Sequence, residues 1–370
     1  MFAKRACVLL LLILLTACGT APVPQPETIP SAWLNEPEAR RFGPVSLLDD
    51  GSVQEGGPLR QKSVDGDVKV VDGKIRRGAL DLTPAFAAID SLDVSEERGE
   101  VAFSAMKETS YDIGLVSTDG SPISWVPSDP ADEIDVQWAP RGHKISFIVR
   151  TPSADFVRTL HVPTSFQFSV DVPFGRVSSL TWDKPAERFA IVVESVDTSQ
   201  RVEVMKYDGT SRRIAIEPQQ RLDVSVEPLG GGVSLRPEGL KYGEKLPLVI
   251  WMQDGDLNRW DASRAALMKG ARVASLVVNS MPGSELMSVL RSTLWIDGSR
   301  MFLVDTRAVP APSEALPGVT IIRGSPDVSP QTYRRRGEII ETPFGVVKSF
   351  SAGFIADQLK GISLPNASHR

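Results

Sequence analysis

Trp138-Ala139-Pro140-Arg141-Gly142-His143-Lys144-Ile145-Ser146-Phe147-Ile148-Val149 holds an aromatic anchor, a turn and the opening of a strand in one short run. Apolar and polar residues alternate from Lys144 to Phe147, the period of an extended segment with one buried face, and Pro140 and Gly142 punctuate the approach to it. The run recurs. Trp182 lies 182 − 138 = 44 residues further on, and the same step lands on Val94 behind and Val226 ahead. The following strand keeps step: Val101, Ile145, Phe189 and Val233 form one column, and Phe103, Phe147, Ile191 and Leu235 a second. Turn dipeptides Asp119-Gly120 and Asp208-Gly209 separate the short alternating stretches. A four-stranded repeat of roughly 40–45 residues is the period of a β-propeller blade.

The copies cover about residues 92–235, which amounts to three complete blades and the start of a fourth, whereas propellers close with roughly four to eight. Either residues 45–82 supply a further irregular blade, or the array is open and its edge strands are covered by the next domain or by a partner.

Outward from the repeats the pattern changes. Lys245-Leu246-Pro247-Leu248-Val249-Ile250-Trp251-Met252 is a continuous apolar run, as in a strand buried on both faces of a parallel sheet. A helical stretch at 261–269, stopped by Gly270, leads to a second buried strand, Val273-Ala274-Ser275-Leu276-Val277-Val278. Met301-Phe302-Leu303-Val304 and Val319-Thr320-Ile321-Ile322 extend the sheet.

At the N-terminus, Lys4 and Arg5 precede an apolar run from Val8 to Leu15, followed by Thr16, Ala17 and Cys18. This is the order of a secretory signal, and the run is shorter than the roughly 20 residues a membrane-spanning helix needs. Leu15-Thr16-Ala17-Cys18 resembles the lipobox of bacterial lipoproteins. The resemblance implies cleavage before Cys18, acylation of that cysteine, and attachment to an envelope membrane by the acyl chains. Gly19 after the cysteine implies the outer membrane, facing the periplasm, by the enterobacterial sorting rule. Residues 20–44, rich in Pro, Glu and Ala, read as an extended tether.

Composition limits the function. The other cysteine, Cys7, leaves with the signal, so no disulfide is expected. Loss of Lys4 and Arg5 takes the formal charge from −5 to −7, which argues against nucleic acid. His143, His161 and His369 are scattered, with no cysteine or acidic cluster at ligand spacing, so no metal and no cofactor is expected. His143 reads as a solvated turn residue.

The wording around Trp138 resembles the propellers of TolB and of prolyl oligopeptidases, and repeats running into a β-α-β order resemble the prolyl oligopeptidase family as a whole. That resemblance implies an α/β-hydrolase half with a Ser, Asp and His triad. The expected fold is therefore multidomain β plus α/β: a partial or irregular β-propeller followed by a trimmed α/β-hydrolase-like parallel sheet. The expected divisions are 1–17 signal, 18–44 lipidated cysteine and tether, 45–240 propeller-like repeats and 241–370 hydrolase-like domain.

The family's catalytic motifs are degraded here. Where the family has Gly-x-Ser-x-Gly after a strand, this chain has Asp305-Thr306-Arg307-Ala308-Val309, and a guanidinium is no nucleophile. Gln253-Asp254-Gly255 replaces the family's His-Gly-Gly, and the Asp254 carboxylate would oppose a developing oxyanion. Asp327, in Gly324-Ser325-Pro326-Asp327, matches the triad acid, while Lys348 falls where the histidine belongs. Ser351 in Ser349-Phe350-Ser351-Ala352-Gly353 mimics a nucleophile elbow, but a serine capping the last helix is the favoured reading, and only His369 follows it. Arg334-Arg335-Arg336 reads as a solvated charge run or a contact for an acidic partner. The expected function is a non-catalytic envelope lipoprotein that binds or scaffolds a periplasmic partner, with a serine hydrolase of non-standard site as the alternative.

Overall fold

The computed structural model describes residues 39–56, 62–128, 130–280, 282–305, 319–323, 339–342 and 345–348. Cys18, Arg307, Asp327, Ser351 and His369, and the signal, most of the tether and the Arg334–336 run, lie outside the described residues.

The repeat columns become the second strands of three antiparallel meanders. These are β7 (Ile89–Ser95) to β10 (Ser124–Trp125), through β8 (Glu100–Lys107) and β9 (Ser110–Ser117); β11 (Asp132–Trp138) to β14 (Phe166–Pro173), through β12 (Lys144–Arg150) and β13 (Ala154–His161); and β15 (Gly175–Trp182) to β18 (Arg213–Ile216), through β16 (Arg188–Ser195) and β17 (Thr198–Lys206). Register repeats with them: Val94 pairs Val101, Trp138 pairs Ile145 and Trp182 pairs Phe189. The first strand of each carries a bulge at a matching place, between 89 and 91, 134 and 137, and 177 and 179. Upstream, β3 (Val64–Asp65), β4 (Val68–Val71), β5 (Lys74–Arg77) and β6 (Leu80–Asp81) make a smaller four-stranded sheet, preceded by the hairpin of β1 (Val45–Leu47) and β2 (Val53–Glu55). Within residues 45–82, then, residues 64–81 form a further four-stranded sheet and residues 45–55 a separate two-stranded one.

Alternation explains how these sheets stack. Val101, Phe103 and Ala105 join Val68 and Ile75 of the preceding sheet, while Ala102, on the other face of β8, joins Val136, Trp138 and Phe147 of the next. Ile145 and Phe147 face back in the same way, whereas Ile148 faces forward to Leu180 and Phe189. Ala190 and Val192 then receive Val45 and Leu47, so the first hairpin covers the last meander. Each fully buried aromatic or branched side chain contributes about 1.5–3 kcal/mol. Side chains also bridge the sheets: Ser91 Oγ accepts from Val136 N (3.0 Å), Asp90 from Asp135 N (2.8 Å), and Asp65 from Val94 N (2.8 Å). These bonds satisfy backbone donors that the bulges and strand ends leave open.

The fourth copy departs from this pattern. β19 (Val224–Leu229) and β20 (Gly232–Pro237) are a hairpin of a different, six-stranded sheet with order β19-β20-β22-β21-β23-β24, where β21 is Leu246–Met252, β22 Ala274–Val278, β23 Ile296–Asp305 and β24 Val319–Arg323. Val226 pairs Leu235, not Val233, because Gly230 and Gly231, at φ 57° and 81°, close a tighter turn than the longer connections of the earlier copies. The change of architecture expected at 241 therefore begins with β19. β20 runs antiparallel to β22, and β22, β21, β23 and β24 are mutually parallel.

Helices cover both faces of this sheet. α1 (Ala262–Ala271) packs Ala265, Leu267 and Met268 on Val249, Trp251, Val277 and Val304. Asp261 caps it by accepting from Arg264 N at 2.6 Å. Gly270 does not stop it; the helix runs through to Ala271 and ends on Arg272 in the left-handed conformation, φ 42°. α2 (Ser284–Ser292), not anticipated from the sequence, sets Met287 and Leu290 on Leu248, Ile250, Leu276 and Leu303. A last hairpin, β25 (Ile339–Thr342) with β26 (Gly345–Lys348), completes the described residues. No helix among them is long and apolar enough to cross a membrane.

Candidate functional site

Ligands of open α/β sheets bind outside the carboxyl ends of the parallel strands. Here Met252 is in register with both Val278 and Asp305, and Asp305 with Arg323, so the strands end level. The segment that leaves β21 at this rim, Gln253 to Trp260, is fixed at its start by Gln253 N donating to Val278 O (3.0 Å) and by its amide donating to Asp256 O (2.7 Å).

The same segment is tied to the stacked sheets. Arg176, at the start of β15, forms an ion pair with Asp256 and a second with Asp155 of β13 at 2.8 Å, and donates to Thr151 O and Pro152 O. Asp155 is fully buried, accepts from Val177 N (2.9 Å), and is also paired with Arg150 at 3.0 Å. Asn258, buried, donates to Pro152 O at 3.0 Å. Arg259 stands 3.5 Å from Asp256 and 3.8 Å from Glu194 of β16. Burial pushes the Glu194 carboxyl above its usual range against the opposing charges of Arg41 and Arg259. Behind this seam Arg264 is 1% exposed and donates to Val196 O and Arg259 O; its Nε and Nη1 have no hydrogen-bond partner among the described residues. Desolvation lowers its pKa, while Asp261 and Asp197 work the other way.

Chemically, the arrangement fixes the segment after β21 in place. Arg176 satisfies two carboxylates and two carbonyls at once, and the segment it anchors brings Asp254 and Asp256 to the rim of the sheet. No histidine lies in the seam among the described residues: His143 meets Arg98, with Nδ1 2.8 Å from Nη1, and His161 Nδ1 is 2.7 Å from Thr164 Oγ1. Lys348 closes β26. Of the positions singled out in the sequence, Gln253, Asp254 and Asp305 lie at the ends of neighbouring strands along the rim, and the candidate acid Asp327 and serine Ser351 lie outside the described residues. Among the described residues no group of three or more His, Cys, Asp or Glu is arranged to hold a metal ion.

Sequence reading missed Arg176, Asp155, Asp256 and Arg264. Ala154-Asp155-Phe156-Val157 has the form of an ordinary alternating edge, and nothing in it tells a buried clamp from a solvated face.

The chain matches no family model and no curated protein. Its likeness is to solved structures. A structure from an analysis of two prolyl endopeptidases and the role of inter-domain dynamics in their catalysis and specificity gives a TM-score of 0.50 at 15% identity, over 70% of this chain and 44% of that one. Prolyl oligopeptidase B from Galerina marginata, without ligand, gives 0.50 at 10% identity over the same shares. The acylaminoacyl peptidase of Pyrococcus horikoshii gives 0.46 at 11% identity, over 64% of this chain and 43% of that one. At these identities the likeness is one of fold, stacked four-stranded sheets joined to an α/β sheet. The chain spans less than half the length of the structures it matches.

Proposed function

We propose that this chain is a lipoprotein of the bacterial cell envelope, held by acyl chains on Cys18 at the periplasmic face of the outer membrane, whose stacked and mixed sheets form a non-catalytic binding or scaffolding surface for an envelope protein. The observation that carries the non-catalytic reading is the clamp on the segment after β21. In α/β-hydrolases the loop after the third strand supplies a backbone donor to the oxyanion. Here that loop carries Asp254 and Asp256, and Asp256 is engaged by Arg176. With Asp256 neutralised by that pair, it is the Asp254 carboxylate that opposes the charge acyl transfer must stabilise. Asp305-Thr306-Arg307 supports the same reading, since it offers neither the serine nor the glycines of a nucleophile elbow.

The likeness of fold to prolyl endopeptidases favours a second reading, a serine hydrolase of non-standard site using Ser351 and Asp327. Fold alone does not carry activity. Labelling of the full chain with a fluorophosphonate, beside Ser351→Ala, separates the two. The expected result is no labelling where a control serine hydrolase reacts; labelling lost in the variant establishes the hydrolase. For the anchor, Cys18→Ala is expected to move the protein from the membrane to the soluble fraction with its melting temperature unchanged. Retention of that variant in the membrane rules the anchor out.

A further inference from the structure

Beside the last meander lies a cavity of about 560 Å³, within the range of small-ligand sites. Its walls carry four guanidinium groups, those of Arg201, Arg212, Arg213 and Arg221, against the carboxylates of Asp197, Glu203 and Glu217. Positive charge is in excess by one. The floor is built: Glu203 is buried and accepts from Arg201 Nε and Arg212 Nε, each at 2.6 Å, and Arg212 Nη1 donates to Asp171 O at 2.9 Å. Both arginines are thus held by their inner edges. Asp197 is turned to Ser195, whose hydroxyl donates to it at 2.7 Å, and the buried Thr198 also lines the cavity. Arg221 is exposed, and its side chain makes no hydrogen bond or ion pair among the described residues. A guanidinium has more N–H donors than these contacts use, so the cavity offers cationic donors beyond those already engaged, two of its arginines being fixed through Glu203.

We infer that this cavity binds a small ligand through an anionic oxygen group, a carboxylate or a phosphate monoester, gripped by Arg212 and Arg221 with Arg201 behind them. Planar guanidinium forks match both groups in geometry, and charge-assisted bonds of this kind are the strong ones. A cationic ligand meets the wrong excess of charge, and an apolar one leaves the donors unsolvated. The site also explains the course of the link into the mixed sheet. Glu217, Pro218 and Arg221 belong to the segment between β18 and β19, which is bound back to the meander by Ser199 N to Gln220 O (2.9 Å) and Leu222 N to Asp197 O (2.8 Å). A ligand that joins Arg221 to Arg212 cross-links that segment to the sheet. None of the cavity's residues lies on the rim of the parallel strands, so this inference stands apart from whether the chain hydrolyses anything.

Calorimetric titration and thermal unfolding of the full chain at low salt, with inorganic phosphate and with succinate as probes, test it. Saturable binding is expected, with a rise in melting temperature that follows ligand concentration. Phosphate alone producing it identifies a phosphoester ligand, and succinate alone a carboxylate. Arg221→Gln is expected to weaken binding about tenfold with the ligand-free melting temperature unchanged, and Arg221→Lys to weaken it less. Absence of saturable binding by either probe, or equal affinity in parent and Arg221→Gln, overturns the assignment.

Discussion

Glu203 shows how one buried acid orders its surroundings. Burial alone would push its carboxyl up, but hydrogen bonds and charge from Arg212 and Arg201 prevail and hold it below its ordinary 4.5. A depressed carboxylate adds stability that is complete above its unfolded value and is lost as pH falls through the folded one. Glu203→Gln is therefore expected to lower unfolding stability by about 1–3 kcal/mol at pH 7, partly screened at Arg212, which is a third exposed. Urea midpoints at neutral pH and in acid check this: the gap between parent and variant should narrow once pH drops below 4.5, and a gap independent of pH refutes the assignment. Such pairs were illegible in the sequence. The apolar columns, by contrast, were legible residue by residue. Val101, Ile145, Phe189, Phe103, Phe147 and Ile191 are all fully buried, because a residue facing the neighbouring sheet must be apolar in every copy, whereas an ion pair leaves no period.

Among elements, β8 and β9 illustrate how packing is set across a pair of strands. Phe103 is in register with Gly114, and its ring occupies the space above that glycine. An added Cβ would stand 2.4 Å from Phe103 Cζ, and the ring, buried against Phe86 and Trp125, has little room to give. Gly114→Ala should cost about 1–3 kcal/mol in denaturant unfolding, and Gly114→Ala combined with Phe103→Leu less than the sum of the two single changes. A neutral Gly114→Ala would mean the ring is free to shift. Element identity was mostly readable: the parallel strands and α1 form near where the apolar runs put them. Three readings differed for physical reasons. Gly270 costs a helix only about 1 kcal/mol, too little to end one whose Ala265, Leu267 and Met268 are already buried. α2 is short, and only Met287 and Leu290 of its residues are buried. β19 and β20 alternate just as a blade strand does, and alternation alone cannot say which sheet a hairpin joins.

On the scale of the whole molecule, Arg176 links what the sequence divides. It joins β15 to Asp155 of the previous meander and to Asp256 beyond β21, so its removal takes one of two cationic partners from each carboxylate, leaving Arg150 on the buried Asp155 and Arg259 on Asp256. Arg176→Ala should lose about 1.5–3 kcal/mol and resolve two calorimetric transitions, one for the meanders and one for the mixed sheet. A single transition at the parent temperature would show that the clamp does not couple them. The succession of meanders and parallel sheet could be inferred from repeat and run, but this seam could not, because its partners are separated by more than a hundred residues at Pro152 and Asn258 and share no pattern.

The strand order of the mixed sheet also fixes a sequence of events in time. Each meander is completed by strands made one after another, so it can close while the rest of the chain is still being synthesised. β20 cannot, because its inner neighbour is β22, and β21 and α1 must be made before Ala274–Val278 reaches it. Until then the nascent chain presents Gly232–Pro237 with one edge open, Val233, Ser234 and Leu235 awaiting Val277, Leu276 and Ser275. That interval is when two growing copies could pair edge to edge, and when a chaperone that grips extended apolar segments has its opportunity.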